Sequence, residues 1–177
     1  MEEMIVLVDE NDVEVGIKEK LATHLEGKMH RAVSVFLLNS ERQMLLQQRA
    51  LSKYHSGGLW TNTCCGHPRP GESPIMAAKR RLFEEMGISC ALEKKFNFTY
   101  RAELDKNLIE HEFDHVFVGF FENDPIPNPA EASDWKWMGL EEVQENIKKN
   151  PELYTAWFKI IINSELIKEI HDCSPIS

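Results

Sequence analysis

The residue types best suited to chemistry are concentrated in two neighbouring segments of the sequence. Positions 61–68 read TNTCCGHP, which places the thiol of Cys65 two residues before the imidazole of His67. Positions 80–88 read RRLFEEMGI and add the guanidinium of Arg81 and adjacent acidic side chains. Carboxylates on one helix face can hold a divalent cation, and a guanidinium suits the oxygens of a phosphate group. Together the two segments offer side chains that suit a divalent metal ion and a phosphate group.

A second carboxylate pair lies further along the chain. Glu110 and Glu112 are two residues apart in a predicted strand, so both side chains point to the same face, while His111 points to the other. The chain has seven histidines and 29 acidic residues, which can supply metal ligands in plenty. Composition therefore permits a metal site without establishing one.

A helix must position the charged side chains of the second segment. Ser73 is predicted to cap this helix, Pro74 suits its first turn and Gly87 its end. Arg81, Glu84 and Glu85 share one face of it. The apolar residues that recur at helical spacing predict its buried stripe: Ile75, Ala78, Leu82 and Met86.

The rest of the chain is rich in predicted strands. Strands are expected at 4–8, 13–17, 32–38, from 44, and at 96–103, 109–121 and 134–138. A long loop with glycines and prolines covers 50–71. Helices are expected at 140–149 and, after Asn150-Pro151, over one longer segment that carries Leu153, Trp157, Ile161 and Ile167. This order predicts the α+β class, a layered α/β/α sandwich with a mixed β-sheet, as one domain over residues 1–177.

Composition argues against several classes of protein. The formal net charge of the 177 residues is −9, which disfavours a broad nucleic-acid interface. No apolar run approaches the roughly 20 residues that span a bilayer, and the acidic N-terminal segment does not read as a signal peptide. The four cysteines are too few for a disulfide scaffold, and adjacent Cys64 and Cys65 have the wrong geometry to pair. We expect a cytoplasmic protein with reduced thiols that acts on a small molecule, with no nucleic-acid or membrane partner, as a monomer or homodimer.

Residues 66–88 resemble the Nudix box. Gly66 is followed after five residues by Glu72, and after seven more by Arg80 and the acidic residues that end the motif. The match extends over 23 residues and implies a Nudix-like fold. Arg81 stands where the box has a glutamate, which replaces a metal-binding carboxylate by a cation that can contact a diphosphate directly. This departure argues against Nudix-type hydrolysis.

The string at 61–68, together with RALSK at 49–53 and Trp60, closely resembles the type I isopentenyl-diphosphate isomerases, a metal-dependent family on a Nudix-like scaffold. The resemblance extends from about Lys20 to Trp157, which is most of the chain. It implies an enzyme that interconverts isopentenyl and dimethylallyl diphosphate. This reaction belongs to isoprenoid biosynthesis.

The resemblance also implies a role for individual residues. The implied metal ligands are His24, His30, His67, Glu110 and Glu112, with Glu85 helping to hold a Mg²⁺ ion on the diphosphate. The implied catalytic residues are Cys65 and Glu112, assisted by Tyr100. The implied substrate contacts are Lys20, Arg49, Lys53, Arg81 and the aromatic Trp157. Three imidazoles with two carboxylates suit a five- or six-coordinate Mn²⁺, Mg²⁺ or Zn²⁺ ion better than a closed structural zinc site.

Moving the double bond requires a proton to be added at one carbon and another removed two carbons away. By resemblance Cys65 and Glu112 flank the substrate, and the sequence leaves open which of them is the acid. Trp157 could stabilise the carbocation through its ring, by about 2 kcal/mol when desolvated, although its apolar helical stripe is almost as consistent with core packing.

Two other functions stay open at this point. A Nudix diphosphohydrolase acting on a nucleotide diphosphate is the enzymatic alternative, and a diphosphate-sensing or partner-binding module on the same scaffold is the non-enzymatic one. The remaining histidines carry no motif and are predicted to be structural: His55, His111, His115 and His171.

Overall fold

The computed structural model describes residues 3–174, so the first two and last three residues of the domain expected over 1–177 lie outside the described range. The described residues form nine β-strands and five α-helices. The strands are β1 (Met4–Val8), β2 (Glu14–Glu19), β3 (His30–Leu38), β4 (Met44–Arg49), β5 (Trp60–Thr61), β6 (Cys64–Gly66), β7 (Leu92–Glu103), β8 (Ile109–Phe120) and β9 (Ala132–Met138). The helices are α1 (Lys20–Glu26), α2 (Pro74–Met86), α3 (Leu140–Lys149), α4 (Ala156–Ile162) and α5 (Ile167–His171).

One mixed sheet contains all nine strands, with β3 at its centre. Strand β8 runs parallel to β3 along its whole length, from the pair His30 and Glu112 to the pair Leu38 and Phe120. The other edge of β3 is shared by β1, β6 and β4, each antiparallel to it. Strands β2, β5, β7 and β9 extend the sheet outward from these neighbours.

The central strand is buried on both faces because helices cover each side of the sheet. Val33, Val35 and Leu37 belong to the apolar cluster that includes α2. Phe36 and Leu38 belong to the opposite cluster, which includes α3, α4 and α5. Alternate residues of one strand therefore supply two cores, and the prediction of an α+β sandwich with a mixed sheet is confirmed.

Helix α2 begins and ends as the sequence indicates. Gly87 has φ 67°, a conformation that glycine adopts readily, and it closes the helix with a bond to the carbonyl of Phe83. Ala78, Leu82 and Met86 are buried, whereas Ile75 is only partly so. Ser73 is the N-cap residue, as predicted, although its side chain makes no capping hydrogen bond.

The prediction of a single long helix after Asn150-Pro151 is wrong. The structure has a 3₁₀ turn over Pro151–Leu153, then α4, then α5. Thr155 is extended, with φ −63° and ψ 152°, so Leu153 and Trp157 do not share a helix, and Leu153 is 44% exposed. Trp157 and Ile161 are buried on α4 as the spacing indicates.

Other differences concern the limits of strands. The predicted loop at 50–71 contains β5 and β6, and β3, β7 and β9 each start two to four residues before the apolar pattern does. Pairing with a neighbouring strand extends these elements into polar sequence, which local periodicity does not reveal. No helix within residues 3–174 is long and apolar enough to cross a membrane.

Candidate functional site

Strand β8 supplies three carboxylates to the same face of the sheet. Glu110, Glu112 and Asp114 alternate along it and are all buried. His111 points to the other face, as predicted, and its Nδ1 lies 3.1 Å from the carbonyl of Gly27. Burying three carboxylates at one place is unfavourable unless cations or hydrogen bonds compensate for the lost solvation, so this face requires partners.

Sheet register and one short helix bring three histidines to these carboxylates. His30 is the β3 neighbour of Glu112 in the parallel pair. His24 lies on α1, which ends at Gly27 with φ 62° and returns the chain to β3. His67 follows directly after β6. One ligand atom from each member of the group can be chosen so that all lie within 4.8 Å of one another: His24, His30, His67, Glu110 and Glu112.

Within this cluster the imidazoles face the carboxylates with Nε2. His24 Nε2 lies 3.4 Å from Glu110 Oε2, His30 Nε2 lies 3.5 Å from Glu112 Oε1, and His67 Nε2 lies 3.0 Å from Glu112 Oε1. The Nδ1 atoms of His24 and His30 are 2.7 and 2.9 Å from the carbonyls of Lys20 and Lys28. Because a carbonyl only accepts, these Nδ1 atoms carry the proton, and each Nε2 lone pair points into the cluster.

Buried atoms without hydrogen-bond partners are a second observation that indicates a cation site in this cluster. His30 Nε2 and Glu110 Oε2 are buried and have no hydrogen-bond partner among the described residues. Burial lowers the pKa of His30 to about 4 and that of His67 well below its usual range, so both rings are neutral ligands at physiological pH. Three nitrogen and two oxygen donors with unpaired buried atoms are a suitable set for a divalent metal ion.

The two glutamates of the cluster differ in proton affinity. Burial works to raise the pKa of Glu110, but the neighbouring rings of His24 and His55 hold it well below its usual range. Burial and the neighbouring charge of Glu110 raise the pKa of Glu112 well above its usual range. Tyr100 Oη donates to Glu112 Oε2 over 2.7 Å, and burial keeps this phenol protonated by raising its pKa.

Cys65 lies on β6, paired with Ser34 of β3. Its Sγ donates to Asn62 Oδ1 over 3.2 Å, and Ser34 Oγ lies 3.5 Å away. Asn62 Nδ2 gives its two hydrogens to the carbonyls of Val35 and Cys64, so its oxygen must face the thiol. Ser34 Oγ donates to Asp114 Oδ2 over 2.6 Å. Burial raises the pKa of the Cys65 thiol, which is therefore protonated and held between two polar groups.

A single cavity of about 190 Å³ joins these groups to the basic residues. It is smaller than the roughly 300–1,000 Å³ of pockets for drug-sized ligands, which favours a small substrate over a nucleotide. Its lining includes the thiol of Cys65, the phenol of Tyr100, and Glu110 and Glu112. It also includes every basic residue and the aromatic residue that the sequence predicts: Lys20, Arg49, Lys53, Arg81 and Trp157. Arg49 lies over the Trp157 ring, with Cζ 5.3 Å from the ring centroid.

Two acidic residues, Glu85 and Glu131, hold Arg81 and Lys53 in place. Arg81 donates to Glu85 Oε1 over 2.5 Å and to Glu131 Oε2 over 3.2 Å. Glu131 also pairs with Lys53. Burial opposes the charge of Arg81, but Glu85 and Glu131 raise its pKa, so it is always cationic. Glu85 is buried and its other oxygen accepts from Gln47, which places it beside the basic residues and outside the histidine cluster.

Sequence reasoning missed several residues of this region. His55 was predicted to be structural, yet its Nε2 lies 3.2 Å from Glu110 Oε1. Asp114 continues the spacing of Glu110 and Glu112, a signal that could have found it. Glu131 and His55 come from loops distant in sequence, and no periodic pattern identifies them.

Comparison with known proteins gives both a fold and a family. The model of the NUDIX domain matches residues 28–158. The chain is similar to the crystal structure of DR0079 from Deinococcus radiodurans, with a TM-score of 0.77, 23% identity, and coverage of 90% of this chain and 97% of that one. It is also similar to the MutT protein from Methanosarcina mazei Go1, with a TM-score of 0.63, 20% identity, and coverage of 76% and 90%. At these identities the likeness concerns the fold alone.

Curated relatives are much more similar in sequence. The chain is 53% identical over 163 residues to the isopentenyl-diphosphate Delta-isomerase 1 of Aromatoleum aromaticum, and the alignment covers 92% of each chain. It is 51% identical over 156 residues to the isopentenyl-diphosphate Delta-isomerase of Pectobacterium atrosepticum, covering 88% of this chain and 87% of that one. The family resemblance noted in the sequence is confirmed.

Proposed function

The chain belongs to the isopentenyl-diphosphate Delta-isomerase family on the NUDIX fold, and from this premise we propose that it converts isopentenyl diphosphate to dimethylallyl diphosphate by metal-dependent proton transfer at Cys65 and Glu112. The observation that carries the proposal is the meeting of three features in one cavity: a buried histidine–glutamate cluster, a protonated thiol and a set of basic side chains. Each feature alone has an ordinary structural explanation, but together they match what this reaction needs.

The diphosphate is bound by the basic side of the cavity. Lys20, Arg49, Lys53 and Arg81 offer ammonium and guanidinium donors there, and charge-assisted hydrogen bonds to phosphate oxygens are among the strongest in proteins. Glu85 would help to hold a Mg²⁺ ion, which would neutralise part of the charge of the diphosphate. This accounts for how a chain of net charge −9 binds an anion, since the attraction is local.

The proton transfers take place at the other side. The acid adds a proton to the terminal alkene carbon, the positive charge develops at the tertiary carbon, and the base removes a proton from the carbon nearer the diphosphate. Cys65 and Glu112 perform these two transfers, and Tyr100, which donates to Glu112, holds that carboxyl in place and can pass a proton to it. The ring of Trp157 stabilises the developing charge and excludes water.

A Mn²⁺, Mg²⁺ or Zn²⁺ ion bound by His24, His30, His67, Glu110 and Glu112 would stabilise the ionised form of Glu112 and acidify its neighbours. The five side chains contribute neutral nitrogen lone pairs and buried carboxylate oxygens, which are the donors such an ion requires. Without a cation, burial and the charge of Glu110 raise the pKa of Glu112.

An incubation with isopentenyl diphosphate tests the function. We expect an allylic product and no released phosphate, with activity lost on adding a chelator and restored by a divalent metal salt. A Nudix diphosphohydrolase would release phosphate instead, and a binding module would bind the compound unchanged.

Substitution of the proposed catalytic residues tests the mechanism. Cys65→Ala and Glu112→Gln should each abolish isomerisation in a folded protein, whereas Cys90→Ala, which removes a partly buried thiol that does not line the cavity, should not. A near-normal rate in the Cys65 or Glu112 variant would refute the assignment.

A further inference from the structure

His55 is a buried histidine that touches the candidate metal centre without belonging to it. It lies between β4 and β5 and is 3% exposed. Its Nε2 is 3.2 Å from Glu110 Oε1, and its Nδ1 is 3.1 Å from Ser56 Oγ. A carboxylate oxygen accepts hydrogen bonds, so the contact with Glu110 Oε1 puts the His55 proton on Nε2.

This tautomer excludes His55 as a metal ligand. With Nε2 donating to Glu110, the remaining lone pair is on Nδ1, where the Ser56 hydroxyl can donate to it. Neither nitrogen of His55 has a lone pair that faces the other histidines. The group of mutually close ligand atoms accordingly contains His24, His30 and His67 but not His55.

The two oxygens of Glu110 have different surroundings. Oε1 accepts from His55, whereas Oε2 lies 3.4 Å from His24 Nε2 and 3.8 Å from His30 Nε2 and has no hydrogen-bond partner among the described residues. A carboxylate held at one oxygen cannot rotate freely, so its other oxygen is presented to the cluster.

The backbone and the ring of His55 are both held in place by neighbouring residues. Arg49 Nη2 donates to the His55 carbonyl over 3.1 Å, and Arg49 Nε donates to the next carbonyl, that of Ser56. The ring packs edge-on against Tyr54 and Trp157, with centroid distances of 4.3 and 6.0 Å. His55 therefore has a fixed orientation and contacts both the carboxylate of the candidate metal centre and the aromatic wall of the cavity.

We propose that His55 is a positioning residue that holds Glu110 through its Nε2 hydrogen bond and so sets the metal affinity of the cluster. The proposal rests on the function proposed above, because it presupposes that the cluster binds a divalent ion. Hydrogen-bond partners of metal ligands typically change affinity by about 10- to 100-fold when they are removed.

Metal binding to the full-length, metal-free protein tests this role, with Mn²⁺ as the probe in isothermal titration calorimetry. His55→Phe keeps an aromatic ring but removes the donor, and should weaken Mn²⁺ binding by about 10- to 100-fold. His55→Gln places an amide donor near the former Nε2 and should bind Mn²⁺ within about threefold of the wild type. His111→Phe, on the opposite face of β8, is the matched control and should bind as the wild type does.

Ser56→Ala gives a second, milder test, since it removes only the partner of Nδ1 and should weaken binding less than His55→Phe. Thermal unfolding of each metal-free variant identifies any loss of folding. Wild-type affinity for Mn²⁺ in His55→Phe would overturn the positioning role and would show that His55 only packs against its neighbours. Equally weak binding by His55→Gln and His55→Phe would overturn it in favour of direct ligation. A wild-type protein that binds no Mn²⁺, Mg²⁺ or Zn²⁺ would refute the metal centre itself.

Discussion

A methyl group added at Gly66 should impair diphosphate binding in the cavity, although the substitution replaces no charged residue. Gly66 is on β6, between Cys65 and His67. A Cβ at this position would lie 2.6 Å from Arg81 Cγ and 3.1 Å from its Cδ and Nε. Ordinary contact begins at 3.4 Å, so the stem of Arg81 must move by about 1 Å or the strand must yield.

The size of the expected effect of Gly66→Ala depends on the contacts that hold Arg81. Its guanidinium is fixed by Glu84 at 2.7 Å and Glu85 at 2.5 Å, so the stem cannot shift freely. Overpacking of this kind lowers the free energy of unfolding by about 1–3 kcal/mol. A displaced guanidinium loses a charge-assisted hydrogen bond to the diphosphate, about 1.5–3 kcal/mol. Gly66→Ala should therefore lower kcat/KM for isopentenyl diphosphate by about ten- to 150-fold.

Steady-state kinetics and chemical denaturation of Gly66→Ala measure the two effects. Gly139→Ala is the matched control, because a Cβ there has no heavy atom within 4 Å. If Gly66 acts by leaving room for Arg81, adding Gly66→Ala to Arg81→Ala should have little further effect on kcat/KM. Full additivity of the two losses, or wild-type kcat/KM in Gly66→Ala, would refute the reasoning.

Two further predictions concern charges outside the proposed catalytic pair. Glu131 pairs with Lys53 and Arg81, and the diphosphate must compete with it. Each such pair contributes about 0.2–1 kcal/mol, so the loss of both pairs in Glu131→Gln should lower KM for isopentenyl diphosphate by about two- to 30-fold. A higher KM in steady-state assays would instead make Glu131 part of the binding site. Burial lowers the pKa of His115, whose charged neighbours are Asp12, Arg31 and Lys94. In the unfolded chain His115 has a pKa of about 6.5, so on acidification it binds a proton in the unfolded chain before it does so in the folded protein. The free energy of unfolding therefore falls with falling pH, by at most about 1.4 kcal/mol per pH unit. His115→Gln should have a flatter dependence of unfolding free energy on pH between 7 and 5 than the wild type, and parallel curves would contradict this.

The parts of the fold that sequence predicted well are those governed by local pattern. The stop of α2 at Gly87 and the shared face of Glu110 and Glu112 follow from backbone conformation and from the two-residue repeat of a strand. The resemblance to a known family supplied the remaining candidate residues. The structure brings them to the lining of one cavity, except for His24 and His30, which lie against its Glu110 and Glu112.

The parts that were missed depend on contacts between distant segments. His55 precedes Glu110 by more than fifty residues, and only the path of the loop before β5 brings them together. The break between the 3₁₀ turn at Pro151–Leu153 and α4 has a similar cause, since Thr155 donates its backbone N–H to the carbonyl of Trp60 instead of continuing a helix. Neither contact leaves a periodic signal in the sequence.

Isomerisation in D₂O is the most direct test of proton transfer through exchangeable protein groups. Cys65 and Glu112 exchange their protons with solvent, so the dimethylallyl diphosphate formed early in the reaction should carry deuterium in one methyl group when followed by NMR. The label and the product should both disappear on chelation and return with added metal. Unlabelled dimethylallyl diphosphate, or released phosphate in its place, would contradict the account.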